Sequence, residues 1–171
     1  RLYHHRLGSA ADELIYEETD DRFFLWVYRT RSDEFILMDL ESAITSEVHY
    51  LRADDPSGRF AVVEPRRHGI EYDVEHHGDR FFIRTNESAM NFCLYEAPVT
   101  RPSRKSWRLV LPHREEVMLE DVLAFSRHLV LMERRDGLPE IRVRRIDGSG
   151  DHTIAFDDAT YDCWAAAGNE E

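Results

Sequence analysis

The sequence contains little cysteine, and its two cysteines lie far apart. Cys93 and Cys163 are separated by 70 positions, with no Cys-x-x-Cys spacing. This arrangement argues against a disulfide framework and against a thiolate zinc site. It favours a reducing compartment.

Long apolar runs and an excess of basic charge are also missing. No apolar stretch approaches the roughly 18 residues of a membrane helix, and residues 1–5 show no signal-peptide pattern. The 22 Lys and Arg against 34 Asp and Glu leave a net charge of −12. Such a chain repels nucleic acid and anionic membranes and attracts cationic ligands. We therefore predict neither nucleic acid nor a membrane as a partner.

A repeat runs through the chain. Three apolar runs, Phe35–Met38, Phe81–Ile83 and Leu129–Met132, begin 46 and 48 residues apart. Each lies within a unit of four short strand patterns separated by polar turns, such as Asp136-Gly137. Four strands in a unit of this length are typical of a β-propeller blade. The sequence therefore predicts an all-β fold, a partial β-propeller with four-stranded blades.

The blade boundaries follow from the repeat. Whole blades are predicted at 23–64, 69–112 and 117–156, the end of an earlier blade at 1–18 and the start of the next at 161–171. This amounts to about half of a ring, and it favours a fragment, engineered or proteolytic, over a closed module. Blades without a packing partner expose apolar faces, so we expect the fragment to self-associate.

Several segments resemble the propeller of the prolyl oligopeptidase family of serine peptidases. They are Tyr72–His76, Thr85–Phe92, Glu96–Pro98, Trp107–Pro112, Val117–Glu120 and Arg134–Leu138. The run Pro112–Val117 resembles the oligopeptidase B branch in particular.

The resemblance implies a seven-bladed propeller packed on an α/β-hydrolase domain. In this family the propeller restricts access to a Ser-Asp-His triad on the other domain, so that only short peptides enter. The oligopeptidase B branch cleaves after Lys or Arg, is typically cytoplasmic and needs no cofactor. No family catalytic position falls in this chain, so no catalytic residue is assigned and the chain alone is predicted to be inactive. The alternative is a free-standing propeller that serves as an interaction module.

Glu71, Asp73 and Glu75 form an alternating acidic pattern. Alternation places all three carboxylates on one face of a strand. If this strand is the innermost of its blade, the face lines the central tunnel and attracts basic peptides. The alternative is a solvated acidic face paired to arginines: Arg66, Arg67 or Arg84.

Other chemically suggestive residues are better explained without a site. Ser149 lies in Asp147-Gly148-Ser149-Gly150, which lacks the Gly-x-Ser-x-Gly spacing of a hydrolase nucleophile and is typical of a turn. The pairs His4-His5 and His76-His77 point to opposite faces of a strand, so neither pair chelates one ion. We predict surface histidines and no metal site.

The three tryptophans all lie on strand patterns. They are Trp26, Trp107 and Trp164. We predict that they pack between blades rather than bind ligands.

Overall fold

The computed structural model describes residues 1–55 and 57–165. These residues form fourteen β-strands and one short 3₁₀ turn, Arg104–Ser106. The strands are β1 (Leu2–His4), β2 (Glu13–Tyr16), β3 (Phe24–Arg29), β4 (Phe35–Glu41), β5 (Ser46–Arg52), β6 (Ala61–Val62), β7 (Tyr72–His77), β8 (Arg80–Thr85), β9 (Cys93–Pro98), β10 (Arg108–Leu111), β11 (Val117–Ala124), β12 (His128–Arg135), β13 (Leu138–Arg145) and β14 (His152–Thr153). No helix within the two described ranges is long and apolar enough to cross a membrane.

Twelve of the described strands form three four-stranded antiparallel sheets. Their orders are β3-β4-β5-β6, β7-β8-β9-β10 and β11-β12-β13-β14, and we call them blades I, II and III. Strands β1 and β2 pair separately, also antiparallel. The predicted all-β fold, a partial propeller with four-stranded blades, is confirmed.

The end of the chain departs from the repeat as far as it is described. Residues 161–165 form no strand, and residues 166–171 lie outside the described residues. The start of a further blade at 161–171 therefore stays a prediction.

The turn between β12 and β13 follows directly from its two residues. Asp136 and Gly137 have φ angles of 49° and 84°. Two successive positive φ angles are the mark of a type I′ turn, whose twist matches that of the flanking strands. The Asp-Gly pair thus forms the hairpin that the sequence predicts.

The second strand of blade II is covered on both faces. Phe81 and Ile83 pack towards blade I, whereas Phe82 packs towards blade III, and all three are at most 2% exposed. Because successive side chains of a strand point to opposite faces, a strand between two blades needs apolar residues at every position. This requirement explains the continuous apolar runs that mark the repeat.

Blades I and II are also joined through Tyr72, the first residue of β7. Its amide donates to Ser46 Oγ at 2.6 Å, and its carbonyl accepts from the same hydroxyl at 2.5 Å. The Tyr72 hydroxyl donates to the Glu64 carbonyl and accepts from the Val48 amide at 2.8 Å. These bonds satisfy buried polar groups where the blades meet, and they fix the position of β7.

Candidate functional site on the inner strands

Strands β3, β7 and β11 each begin a blade and lie at an edge of its sheet; we call them the inner strands, and their position at the centre of a ring stays a prediction. Strand β7 contacts β11, the first strand of blade III, and it also contacts β5, the third strand of blade I. Along β7 the residues alternate between buried and partly exposed. Tyr72 and Val74 pack in the core shared with blade I, so Asp73 and Glu75 lie on the opposite face, towards blade III.

Asp73 is held in an ion pair on this face. It lies opposite Arg84 of β8, whose Nε is 2.8 Å from Asp73 Oδ2. Arg84 also donates to the Leu119 carbonyl of blade III at 3.1 Å and stacks over the ring of Phe92. Burial raises the pKa of Asp73 to about 6, against the opposing effect of Arg84 and with a further increase from Asp121. Of the predicted arginine partners, the structure brings Arg84 to this face.

Glu75 has a different environment from Asp73. Its Oε1 accepts a hydrogen bond from the His76 amide at 3.1 Å. The pKa of Glu75 is raised to about 7, chiefly by burial and also by the carboxylates of Asp121 and Asp73, against the lowering effects of the His76 amide and Arg31. A carboxyl group with this pKa changes its charge near neutral pH.

Glu71 does not lie on β7 with Asp73 and Glu75. Strand β7 begins at Tyr72, and Glu71 precedes it. The Asn86 side chain bridges the Glu71 backbone and side chain: Oδ1 accepts from the Glu71 amide at 2.9 Å, and Nδ2 donates to Glu71 Oε1 at 3.2 Å. The grouping of Glu71 with Asp73 and Glu75 as tunnel-lining residues stays a prediction.

Sequence reasoning missed two further carboxyl groups that interact with Asp73, those of Asp39 and Asp121. Asp39 of β4 is only 5% exposed, and its Oδ2 accepts from the Tyr28 hydroxyl at 2.7 Å. Its Oδ1 has no hydrogen-bond partner within the described part of the chain. The pKa of Asp39 is raised to about 7, chiefly by burial and also by Glu41 and Asp73, against the lowering effect of the Tyr28 hydrogen bond. The available signal was an acidic residue inside the apolar run of β4.

An acidic group of side chains from three blades therefore lies on β7 and β11 and on β4, the strand next to β3. Asp39 belongs to blade I, Asp73 and Glu75 belong to blade II, and Asp121 belongs to blade III. Each of the first three has a pKa raised by burial and by a neighbouring carboxylate of the group. We call these four residues the inner acidic group. It can attract a guanidinium or ammonium group, and it contains no nucleophile paired with a base.

Ser149 lies in an exposed turn. Its hydroxyl donates to Asp147 Oδ1 at 2.7 Å, and its amide donates to the same oxygen at 2.8 Å. This local pattern is that of an Asx turn. The structure gives Ser149 an acidic turn partner instead of the histidine base that a hydrolase nucleophile needs.

The histidine pairs do not behave alike. His5 is exposed and lies 2.7 Å from Asp12, as expected of a surface residue. His76, in contrast, is only 1% exposed, so its prediction as a surface histidine is wrong. The reason is its position on β7, where it shares the buried face of Tyr72 and Val74. Among residues 1–55 and 57–165, no three His, Cys, Asp or Glu side chains form a group that could hold a metal ion.

The three tryptophans also differ in their exposure to solvent. Trp107 is 8% exposed, packs against Tyr72 and Tyr95, and donates from Nε1 to the Pro102 carbonyl at 2.7 Å. Trp26 and Trp164 are 59% and 74% exposed. The packing prediction thus holds for Trp107 and fails for the other two.

Comparisons with known proteins agree with this architecture. The family model described as prolyl oligopeptidase, N-terminal β-propeller domain matches residues 1–171. Dipeptidyl aminopeptidase BI of Pseudoxanthomonas mexicana is 39% identical over 99% of this chain and 24% of its own length. Protease 2 of Moraxella lacunata is 41% identical over 84% of this chain and 21% of its own length.

A solved structure gives the same result. Oligopeptidase B from Leishmania major superimposes with a TM-score of 0.83 at 29% identity, over 92% of this chain and 24% of that one. The chain therefore spans about a quarter of the length of the relatives it matches. Its repeat, its blades and these matches lead to one conclusion: the chain belongs to the prolyl oligopeptidase family and corresponds to part of the N-terminal β-propeller domain.

Proposed function

We propose that the chain is a non-catalytic propeller segment of a serine oligopeptidase that cleaves short peptides after Lys or Arg. In this proposal the propeller gates access to a Ser-Asp-His triad on an α/β-hydrolase domain of the same parent protein. The family match and the likeness to oligopeptidase B support the peptidase class. The inner acidic group is the observation that carries the preference for basic peptides.

The proposed role of the inner acidic group is to concentrate basic peptides near the inner strands. Asp73 and Glu75 are partly exposed, and their charges act on a cation over roughly 8–10 Å at moderate salt. Arg84 and Arg31 offset part of this charge. The attraction is therefore expected to be moderate and to weaken with salt.

The test is a titration of the purified chain with a fluorescent peptide containing paired arginines, at about 20 mM and about 150 mM salt. A peptide of the same length with glutamines in place of the arginines serves as the ligand control. Two variants are compared, Glu75→Gln on the inner strand and Glu116→Gln at an exposed position of a connection. The titrations are run at about pH 8.5, where Glu75 with its pKa of about 7 is ionised, so each variant removes one negative charge and the two change the net charge equally.

Saturable binding that weakens with salt, and that Glu75→Gln reduces more than Glu116→Gln, supports the proposal. Equal effects of the two variants would mean that the peptide senses only the net charge of −12. The absence of binding at both salt concentrations would contradict recruitment of basic peptides by this surface.

Turnover is tested separately. The isolated chain is expected neither to hydrolyse an arginyl substrate nor to react with a fluorophosphonate probe, because no hydrolase nucleophile is assigned in it. Probe labelling of the intact chain, located by mass spectrometry, would contradict the proposal that the chain is non-catalytic.

We also propose that the isolated chain self-associates. Phe24 and Trp26 of β3 are 70% and 59% exposed, and exposed aromatic residues of this kind promote association. Sedimentation velocity over a wide concentration range tests this. Trp26→Glu is expected to shift the chain towards the monomer, and a wild-type chain that stays monomeric at the highest concentration contradicts the proposal.

The cellular location proposed for the parent protein is the cytoplasm. Support comes from Cys93 and Cys163, which are both free thiols in the structure and which suit a reducing compartment. Subcellular fractionation of the full-length protein tests this, and recovery outside the cytoplasmic fraction would contradict it.

A further inference from the structure

His76 is buried where blade II meets blade I. It is 1% exposed, and its ring packs edge-on against Phe35 of blade I and Phe81 of blade II, with centroid distances of 4.6 and 5.5 Å. Fully buried histidines of this kind are uncommon unless both ring nitrogens find partners. Both nitrogens of His76 do.

The two partners determine the protonation state of the ring. Nε2 lies 2.9 Å from the Gly78 carbonyl, which can only accept, so Nε2 carries the hydrogen. In the neutral ring Nδ1 is then an acceptor, and the Ser32 hydroxyl at 2.6 Å donates to it. Ser32 lies in the connection between β3 and β4 of blade I, so this hydrogen bond joins the two blades.

Ser32 is itself positioned by its own connection. Its Oγ lies 2.9 Å from Thr30 Oγ1 and accepts from the Glu34 amide at 3.3 Å. Thr30 Oγ1 accepts in turn from the Phe35 amide at 3.1 Å. A continuous hydrogen-bonded chain thus runs from His76 to the start of β4.

The same connection reaches blade III. Arg31 Nε donates to the Ala124 carbonyl at 3.3 Å, and its guanidinium lies 3.8 Å from the centre of the Phe125 ring. Residues 30–34 therefore touch all three blades at this end of the inner strands. A change in their position alters the contacts of all three.

Several charged and titratable groups lie near His76. They are Glu34, Arg31 and Asp33 from the connection, Arg52 from β5, and Glu75 and His77 from β7 itself. Burial lowers the pKa of His76, and His77 and Arg52 lower it further, whereas Glu34 raises it. The lowering effects prevail, so the folded chain favours the neutral ring.

We propose that Ser32 and His76 form a pH-sensitive clasp that holds residues 30–34 onto blade II, and that protonation of His76 releases it. Protonation turns Nδ1 from an acceptor into a donor and reverses the hydrogen-bonded chain. It also places a charge on a ring that is 1% exposed and packs against two phenyl rings. The proposal concerns this chain alone and does not depend on the proposed peptidase role.

Amide hydrogen exchange of residues 30–36, corrected for the intrinsic pH dependence of exchange, tests the clasp. Between about pH 7.5 and about pH 5 we expect protection to fall several-fold more in this segment than in β12. In the opened segment His76 regains the ordinary histidine pKa near 6.5, so opening becomes more favourable as the pH falls below that value. His76→Gln should abolish this extra loss, and the matched variant His77→Gln should retain it. An extra loss that persists in His76→Gln, or no extra loss in the wild type, overturns the proposal.

A second measurement applies even if His76→Gln does not fold. The imidazole of His76 can be titrated by NMR in the folded wild-type chain, with Ser32→Ala as the companion variant. A pKa below 6.5 that moves on Ser32→Ala, together with a change of the residue 30–36 resonances along the same titration curve, supports the clasp. A pKa at or above 6.5, or resonances of residues 30–36 that do not follow it, overturns the clasp.

Discussion

Asp73 and Arg84 lie directly opposite each other on β7 and β8, with Arg84 Nε 2.8 Å from Asp73 Oδ2. A cation of the chain itself thus neutralises one of the carboxylates proposed to attract basic peptides. Arg84 also donates to the Leu119 carbonyl, so the same side chain links blades II and III. An incoming peptide cation would compete with Arg84 for Asp73.

Replacing Arg84 tests this competition. Arg84→Gln should tighten binding of the paired-arginine peptide about fivefold, since one unit charge at about 4 Å is worth ~1 kcal/mol in water. The affinity is measured by fluorescence anisotropy at low salt and at about pH 8.5, because loss of Arg84 raises the pKa of Asp73. The control Arg108→Gln removes the same charge at an exposed position of β10. Strand β10 lies at the opposite edge of the sheet from β7. An equal gain in both variants, or no gain in Arg84→Gln, would refute the competition.

Much of the fold could be predicted from the sequence because each blade repeats one physical constraint. The run of Phe81, Phe82 and Ile83 is apolar at every position because blades cover both faces of β8. The turn at Asp136-Gly137 is local and needs no tertiary information. Strand alternation also placed Asp73 and Glu75 together on the face opposite Tyr72.

The environment of each side chain was harder to predict because it depends on the neighbouring blade. Arg84 could be named as one of three possible arginine partners of the acidic face. Selecting it from the three requires the register of β7 against β8. His76 continues the alternate spacing of Tyr72 and Val74, so strand alternation could have indicated its burial. Its partner Ser32, however, lies 44 positions away and could not be predicted from local sequence. Asp39 stands inside the apolar run of β4, which hints at burial, but its hydrogen bond with the Tyr28 hydroxyl depends on the pairing of β3 with β4.

Asp39 should make the chain less stable as the pH rises. Its folded-state pKa of about 7 lies above the ordinary value of 3.8, so the stabilising proton is present at low pH and is lost as the pH rises through 7. Relative to Asp39→Asn, the wild type should lose on the order of 2 kcal/mol of unfolding free energy between about pH 5 and about pH 7. Urea unfolding at each pH measures this difference.

The comparison with Asp39→Asn separates this effect from that of His76. The lowered pKa of His76 has the opposite sign, because it makes the folded chain less stable as the pH falls below 6.5. Both chains keep His76, so its contribution cancels in the difference. Asp158→Asn, at an exposed position, is the matched control. A wild type that runs parallel to Asp39→Asn across the pH range would refute the assignment.

Replacing Phe81 should strongly destabilise the core between blades I and II. Phe81 is fully buried and contacts the rings of Phe35, Tyr50 and His76 edge-on. Phe81→Ala should reduce the unfolding free energy by about 3–5 kcal/mol through lost burial and the cavity left behind. Met90→Ala, at a position that is 86% exposed, should change it by less than about 0.5 kcal/mol. Comparable losses in the two variants would contradict the packing.

Glu133 of β12 carries a buried charge whose removal should destabilise blade III. The residue is 1% exposed, and its Oε1 accepts from Arg114 and from Arg142, the latter at 3.4 Å. Glu133→Gln leaves two guanidinium groups facing a neutral amide, which should cost about 3 kcal/mol, as measured by urea unfolding. Because a buried pair is weakly screened, the loss should be nearly the same at low and moderate salt. Glu115→Gln, at an exposed position, should cost little, and a loss in Glu133→Gln that disappears with salt would show that the pair acts as a surface contact instead.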